Sequence, residues 1–284
     1  MQPPKVSVLT PIYNTNPEHL RECIASILNQ TFTDFEFLIL NDSPENTELD
    51  TIVASYKDNR IKYIKNTHNM GISASRNRLL DLACGEYMAI FDHDDISMPT
   101  RLEKQVAYLD ANPDVGVVSG FMEYFNGDVV KNILHTPEHD VDIKTFLTRD
   151  CCVAHSASMI RKSILDTNKI KYEEFYSPSE DHKLWARLMG VTHFYNIQET
   201  MVRYRSHEKR TTIKQCKLMA LKTRTILYEI RNEYPYYYHQ MLHSDEKNIT
   251  VFRLRLFGII PLIKIKRNYV WLFGCLPILK VCWK

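Results

Sequence analysis

This 284-residue sequence predicts an α/β fold, with a mostly parallel sheet flanked by helices. Three observations carry that prediction. Strand and helix patterns alternate along the N-terminal part of the chain. A polar cluster follows each of the first strands. The composition, 44% hydrophobic and 25% charged, suits a chain with a sizeable buried core.

The elements follow in order. Residues 6–10 (Val-Ser-Val-Leu-Thr) read as a strand. Leu20, Cys23, Ile24, Ile27 and Leu28 form a helical stripe within 17–29. Residues 35–40 are a second strand, and Leu49, Ile52, Val53 and Tyr56 mark a second helix. Residues 61–64 make a short strand, 74–83 a helix, 87–91 a buried-looking strand, 100–109 a helix and 115–118 a strand. Such repetition gives parallel strands covered by helices. Ligands of open sheets of this kind bind beyond the carboxyl ends of the strands. The polar residues there are therefore the expected functional ones.

Past residue 120 the alternation decays, and 121–176 shows few clean periods. One helix start stands out at Ser177-Pro178-Ser179-Glu180. Ser177 is expected as N-cap, Pro178 as the first helical residue, and Glu180 as the far end of a capping box. Leu184, Trp185 and Leu188 give this helix an apolar face, with Trp185 expected in the core, and Gly190 gives it a stop. The tail differs again. Residues 251–284 contain no acid, and their Arg and Lys interleave with Phe, Tyr and Trp. A stretch beginning at Leu256-Phe257-Gly258 recurs from Leu272-Phe273-Gly274. This region is expected to form a C-terminal basic-aromatic helical extension, broken by Pro261 and Pro277 and lying on an anionic membrane surface. A partner-binding or folded hairpin is the other reading.

The formal net charge is only +2, so charge alone does not make the chain a nucleic-acid binder. The 7 cysteines are scattered, with no C-x-x-C pair, which suits reduced thiols rather than a disulfide framework or zinc site. The N-terminus has no apolar signal region, and no run is apolar enough to span a bilayer.

The strand ends carry the chemistry. Pro11-Ile12-Tyr13-Asn14 follows the first strand and Asn41-Asp42-Ser43 the second. The run from His68 to Asn77 follows the third, and Asp92-His93-Asp94-Asp95 the fourth. Carboxylates this close repel unless a cation joins them. Mn2+ or Mg2+ takes carboxylate and phosphate oxygens together, so a D-x-D at a strand end suits a metal holding a diphosphate. The competing reading is an acidic turn capping the helix after Pro99.

These four motifs, Val-Ser-Val-Leu-Thr-Pro-Ile-Tyr-Asn, Ile-Leu-Asn-Asp-Ser, Asn-Met-Gly-Ile-Ser-Ala-Ser-Arg-Asn and Phe-Asp-His-Asp-Asp, resemble family 2 glycosyltransferases with the GT-A fold. The order and spacing of the four make the resemblance stronger than any one of them. It implies a Rossmann-like nucleotide-sugar half over 1–120, an acceptor-binding and catalytic half over 121–215, and the extension over 216–284. It also implies roles. Tyr13 stacks on the base, with Pro11 shaping the turn and Asn14 also at the nucleotide-sugar; Tyr13 and Asn69 as ordinary turn residues are the alternative. Asp42 accepts a hydrogen bond from the base. Arg76 reaches base or phosphates, with Asn69 and Gly71 shaping the loop. Asp92 binds ribose or supports the metal, beside His93. Asp94 is the direct metal ligand and Asp95 an auxiliary carboxylate. Ser43-Pro44 departs from the family's usual Asp-Gly-Ser, so the shape of that loop is open.

The resemblance further makes Asp181 the base that takes the acceptor proton, with Glu180 beside it in a structural role; Asp181 acting only on the helix dipole is the alternative. His207 is the further metal ligand, while Arg205, Lys209 and Arg210 neutralise the leaving group, or else form a solvated basic face. His155 resembles a position near the acceptor; a core histidine is the alternative.

The activity so implied is inverting transfer of a hexosyl or N-acetylhexosaminyl group from a nucleoside-diphosphate sugar, with UDP expected. The acceptor would be a hydroxyl of a glycan or lipid-linked glycan in bacterial surface polysaccharide (lipopolysaccharide or capsule) synthesis. The enzyme would sit on the inner face of the cytoplasmic membrane. A nucleotidyltransferase would want a glycine-rich basic loop after the first strand, which Pro11-Ile12-Tyr13-Asn14 is not. An inactive nucleotide-sugar-binding scaffold would be expected to lack Asp94 or Asp181.

Overall fold

The structure, a computed structural model, describes residues 3–206 and 215–247, and beyond these four short strands. The chain divides into two units, Met1–Glu233 and Tyr234–Lys284.

The first unit is built on a nine-stranded sheet. Its first half alternates as the sequence predicts: β1 (Val6–Ile12), α1 (Pro17–Leu28), β2 (Phe35–Asn41), α2 (Thr47–Ser55), β3 (Ile61–Lys65), α3 (Ile72–Leu82), β4 (Tyr87–Ile90). After these come β5 (Ile96–Ser97), α4 (Arg101–Ala111), β6 (Val115–Asn126), β7 (Val129–Leu134), α5 (Asp140–Leu147), β8 (Met159–Arg161), α6 (Lys162–Asn168), α7 (Glu180–Leu188), β9 (His193–Arg205) and α8 (Cys216–Glu233). The sheet order is β3-β2-β1-β4-β8-β6-β9-β5, with β7 on the side of β6. Strands β3, β2, β1 and β4 are mutually parallel. β8 runs against both β4 and β6, which therefore share a direction, and β9 is parallel to β6. The mostly parallel sheet is thus observed, with its reversals at β5, β7 and β8.

The core explains why these segments pair. β1 and β2 are buried along their whole length, as parallel strands with both faces covered are. Leu20, Cys23, Ile24 and Ile27 of α1 are buried against the sheet. Asn16 caps α1, its Oδ1 accepting the N–H groups of Glu18 and His19. Gly85 approaches β1 so closely that a Cβ there would lie 2.6 Å from the Ser7 nitrogen.

Three expectations are corrected. α7 begins at Glu180 with Ser179 at its N-cap, not at Ser177. Ser177 and the cis-linked Pro178 belong to the preceding turn, where Ser179 N–H donates to the Tyr176 carbonyl at 2.7 Å. Ser179 Oγ bonds the Met219 carbonyl and Thr223 Oγ1 instead of capping its own helix. Second, the main unit runs to Glu233, so α8 belongs with it rather than with the tail. The cause is packing: Ile226 and Ile230 are buried, and Glu229 pairs with Lys183 of α7.

Third, the tail is only partly helical. The second unit holds α9 (Pro235–Lys247), then β10 (Leu254–Leu256), β11 (Ile260–Lys266), β12 (Tyr269–Leu272) and β13 (Leu276–Lys280) in one antiparallel sheet. Alternation such as Ile263-Lys264-Ile265-Lys266 has the period of a strand, and Pro261 and Pro277 disfavour helix. The internal repeat is two equivalent hairpins. Leu256 faces Ile260 as Leu272 faces Leu276, and Arg255 faces Pro261 as Trp271 faces Pro277. Each then shifts register at the same place, to Leu254 with Ile263 and Val270 with Leu279. Among the described residues, no helix is long and apolar enough to cross a membrane.

Candidate active site

The carboxyl ends of β1, β2, β3 and β4 lie side by side and bring the four motifs to one edge. Tyr13 is 49% exposed just beyond β1, next to Asn14 in the left-handed region (φ 44°). The Asn14 N–H donates to Ser43 Oγ at 3.1 Å, tying the first strand end to the second. Pro11 is a buried member of β1. An aromatic ring presented this way at a strand end is a platform for a planar base.

Asp42 is buried, and its carboxylate is occupied within the protein. Oδ1 accepts from Asn66 Nδ2 at 2.6 Å and from Met70 N–H at 2.8 Å, while Oδ2 accepts from Gly71 N–H at 2.9 Å. It therefore shapes the loop before α3. Asn69 and Gly71 shape that loop as expected: Asn69 Oδ1 also accepts the Gly71 N–H, and Gly71 stands at φ 84°. Asn66 is a site residue that sequence reasoning misses; an Asn after a strand carries no distinctive signal.

Arg76 projects inward from α3 and is 8% exposed. Nη1 donates to Glu180 Oε1 at 2.6 Å and Nη2 to Asp92 Oδ1 at 2.9 Å. It bridges the end of β4 to the start of α7. Its guanidinium also lies over the Tyr172 ring, whose hydroxyl meets His155 Nε2 at 2.9 Å. His155 Nδ1 stands 3.9 Å from Asp92 Oδ1. Burial, reinforced by the Arg76 charge, pushes the His155 pKa down to about 3, so it is neutral at working pH. Tyr172 lies in a stretch without clear periodicity, and nothing in the sequence marks it.

The acidic turn is held from two sides. Asp92 N–H donates to Ser156 Oγ at 3.1 Å. Burial pushes the Asp92 carboxyl up, but the Arg76 guanidinium, by its charge and its hydrogen bond, is the main influence holding it below the usual range. Asp95 is fully buried and accepts the Arg205 N–H at 3.0 Å. Burial, then Asp94 and Asp92, pushes its carboxyl well above the usual range. Arg205 Nε donates to the Asp94 carbonyl at 2.9 Å, and Nη2 pairs with Glu22. Arg205 thus fastens the acidic turn. The turn does not cap the next helix: α4 has Thr100 at its N-cap, with no side-chain cap. His93 is half-buried, with Nδ1 lacking a hydrogen-bond partner. His207, Lys209 and Arg210 lie outside the described residues.

Among the described residues, no three His, Cys, Asp or Glu side chains are grouped to hold a metal by themselves. The donor chemistry nonetheless fits Mn2+ or Mg2+, which keep waters and bind through one or two carboxylates plus substrate phosphates. A cation beside Asp94 would also offset the repulsion that raises Asp95.

Asp181 stands in the first turn of α7, its Oδ1 accepting the His182 N–H at 2.7 Å. Burial, with the Glu180 carboxylate beside it, pushes its pKa up to about 6. Glu180 has the structural task of holding Arg76, although the capping box expected for it does not form. A carboxylate pushed up to about 6 is suited to general-base work near neutrality. Trp185 is fully buried, in the core as expected.

The family model for glycosyl transferase family 2 matches residues 7–168 of this sheet-and-motif framework. The chain belongs to that family. This family 2 glycosyltransferase is 36% identical over 210 residues to an uncharacterized glycosyltransferase of Methanocaldococcus jannaschii, covering 72% of each chain. It is 32% identical over 196 residues to the O-antigen biosynthesis glycosyltransferase WbnJ of Escherichia coli, covering 66% of this chain and 74% of that one. Its fold is GT-A: S. aureus TarS 1–349, solved in complex with UDP-GlcNAc, matches with a TM-score of 0.63 at 19% identity. That match covers 80% of this chain and 72% of TarS 1–349.

Proposed function

We propose that this glycosyltransferase is an inverting, metal-dependent enzyme that uses a UDP-sugar. It glycosylates a hydroxyl of a glycan or lipid-linked glycan in surface polysaccharide synthesis. The observation that carries the reading is Asp181, with its carboxyl near 6, joined through Glu180 and Arg76 to Asp92 at the donor edge. The uridine donor is supported by the ring of Tyr13 at the strand end and by the UDP-GlcNAc complex of a fold relative. The surface-polysaccharide setting is supported by the O-antigen relative.

In this mechanism the acceptor hydroxyl oxygen attacks the anomeric carbon from the side opposite the leaving group. A carbon–oxygen bond forms, the bond to the diphosphate oxygen breaks, and the nucleoside diphosphate departs. Asp181 takes the hydroxyl proton as the attack proceeds. Single displacement inverts the anomeric centre. Mn2+ or Mg2+, bound by Asp94 and the diphosphate, would supply charge stabilisation for the leaving group. Asp92 would face the ribose while Arg76 fixes its direction. The sugar is a hexose or N-acetylhexosamine, and the enzyme works peripherally at the inner face of the cytoplasmic membrane.

The test is nucleoside diphosphate release from a panel of UDP- and GDP-sugars, with Mn2+ or with EDTA, for wild type, Asp94→Ala and Asp181→Asn. Metal-dependent release with one UDP-sugar, lost in Asp94→Ala, is the expected result. Nucleotide binding is read in the same samples. Failure to bind any nucleoside diphosphate or its sugar with metal present would overturn the reading.

A further inference from the structure

α8 has two unlike faces. One is packed inward: Ile226 and Ile230 are buried, Thr223 Oγ1 meets Ser179 Oγ, and Glu229 is held by Lys183 and Tyr176. The opposite face carries Lys217, Leu221, Arg224 and Tyr228, at the i, i+4, i+7, i+11 spacing of a single helical stripe. All four are exposed, Leu221 at 59% and Tyr228 at 70%. Leu218, also exposed, widens the apolar part. From 216 to 228 the helix contains no acid, and Glu229, the first one, is turned toward α7.

A solvated helix face ordinarily mixes both signs of charge with few large apolar groups. Here cations alternate with exposed leucine and tyrosine, which is the composition that lies in an anionic lipid interface. The cations meet headgroups, and Leu221 and Tyr228 enter the boundary below them.

We infer that the outward face of α8 docks the enzyme on an anionic lipid surface. This rests on the reading that the enzyme works at a membrane, but it moves the contact from the tail to a helix of the catalytic unit. The placement has a consequence for chemistry. α8 packs on α7, and α7 begins with Glu180 and Asp181. A lipid surface against α8 lies one helix away from the base, where a lipid-linked acceptor needs to be delivered.

The experiment is sedimentation of the full chain with vesicles. One set contains equal parts phosphatidylglycerol and phosphatidylcholine, and the other phosphatidylcholine alone. Wild type is compared with Lys217→Glu/Arg224→Glu, with Leu221→Ser/Tyr228→Ser, and with Lys131→Glu, which alters charge on β7 instead. The substituted α8 positions are exposed, so circular dichroism should be unchanged. The expected result is binding to the anionic vesicles only, weakened about tenfold or more by the charge reversal. The apolar pair should weaken it several-fold, and Lys131→Glu should leave it near wild type. Wild-type binding that survives both α8 variants would overturn the inference while leaving membrane association by the tail in place. Absence of wild-type binding to either vesicle would overturn both. Nucleotide-sugar hydrolysis in solution stands apart from all these outcomes.

Discussion

Asp181 shows how one residue sets activity and stability against each other. An aspartate in the unfolded chain titrates near 3.8, and in the fold this one is pushed up to about 6. The folded state therefore binds that proton more tightly than the unfolded state. The contribution is fully present below 3.8 and is lost as pH rises through 6. Asp181→Asn removes the ionisation penalty and the base together. We expect transfer to fall by about 10²–10⁴-fold with donor binding retained. We also expect a gain of up to about 2 kcal/mol in urea unfolding at pH 8, shrinking toward pH 4. The wild-type rate should fall on an acid limb near pH 6, read from kcat/KM across pH. At this scale much of the site is legible in the sequence. The D-x-D and the Glu-Asp pair announce themselves by residue type. What stays hidden is direction. No spacing tells that Arg76 points inward, that Asp42 faces its own loop, or that Tyr172 comes to rest on the guanidinium.

Between elements, Arg76 is the joint of interest, since it links α3, the end of β4 and the start of α7. Its partner Glu180 is 6% exposed, so losing Arg76 leaves that buried carboxylate without its ion pair, whereas losing Glu180 leaves Arg76 still paired with Asp92. Arg76→Gln should destabilise by about 3 kcal/mol, Glu180→Gln by less, and the double variant by less than the sum. Urea unfolding of the four proteins measures this. If Arg76 contacts donor directly, its replacement raises KM for donor; as a bridge it lowers kcat. The strands and helices of the first half are legible because each is a short run of one period bounded by polar turns. The start of α7 lies beyond its sequence expectation because Ser177-Pro178 resembles a capping sequence, while the cap position falls to Ser179. The strands of the tail are masked because its basic and aromatic residues draw attention to chemistry before period.

For the whole molecule, the unit up to Glu233 holds the nine-stranded sheet, its core and the four motifs. A chain ending at Glu233 is expected to fold cooperatively and to bind nucleotide as the full chain does. Calorimetry and nucleotide titration check this, and an unfolded or non-binding product would place part of the site's support beyond that residue. The division itself is not legible, since two helical patterns meet at Glu233 with no linker-like composition between them. The tail carries a different lesson. Its two hairpins repeat three pairings at a constant offset, from Leu256 to Leu272. Growth by copying that unit would lengthen the chain in fixed steps. Each new hairpin would continue the same pairing at the edge left by β13. Size could then change in increments while the chemistry, confined to the other unit, stayed constant.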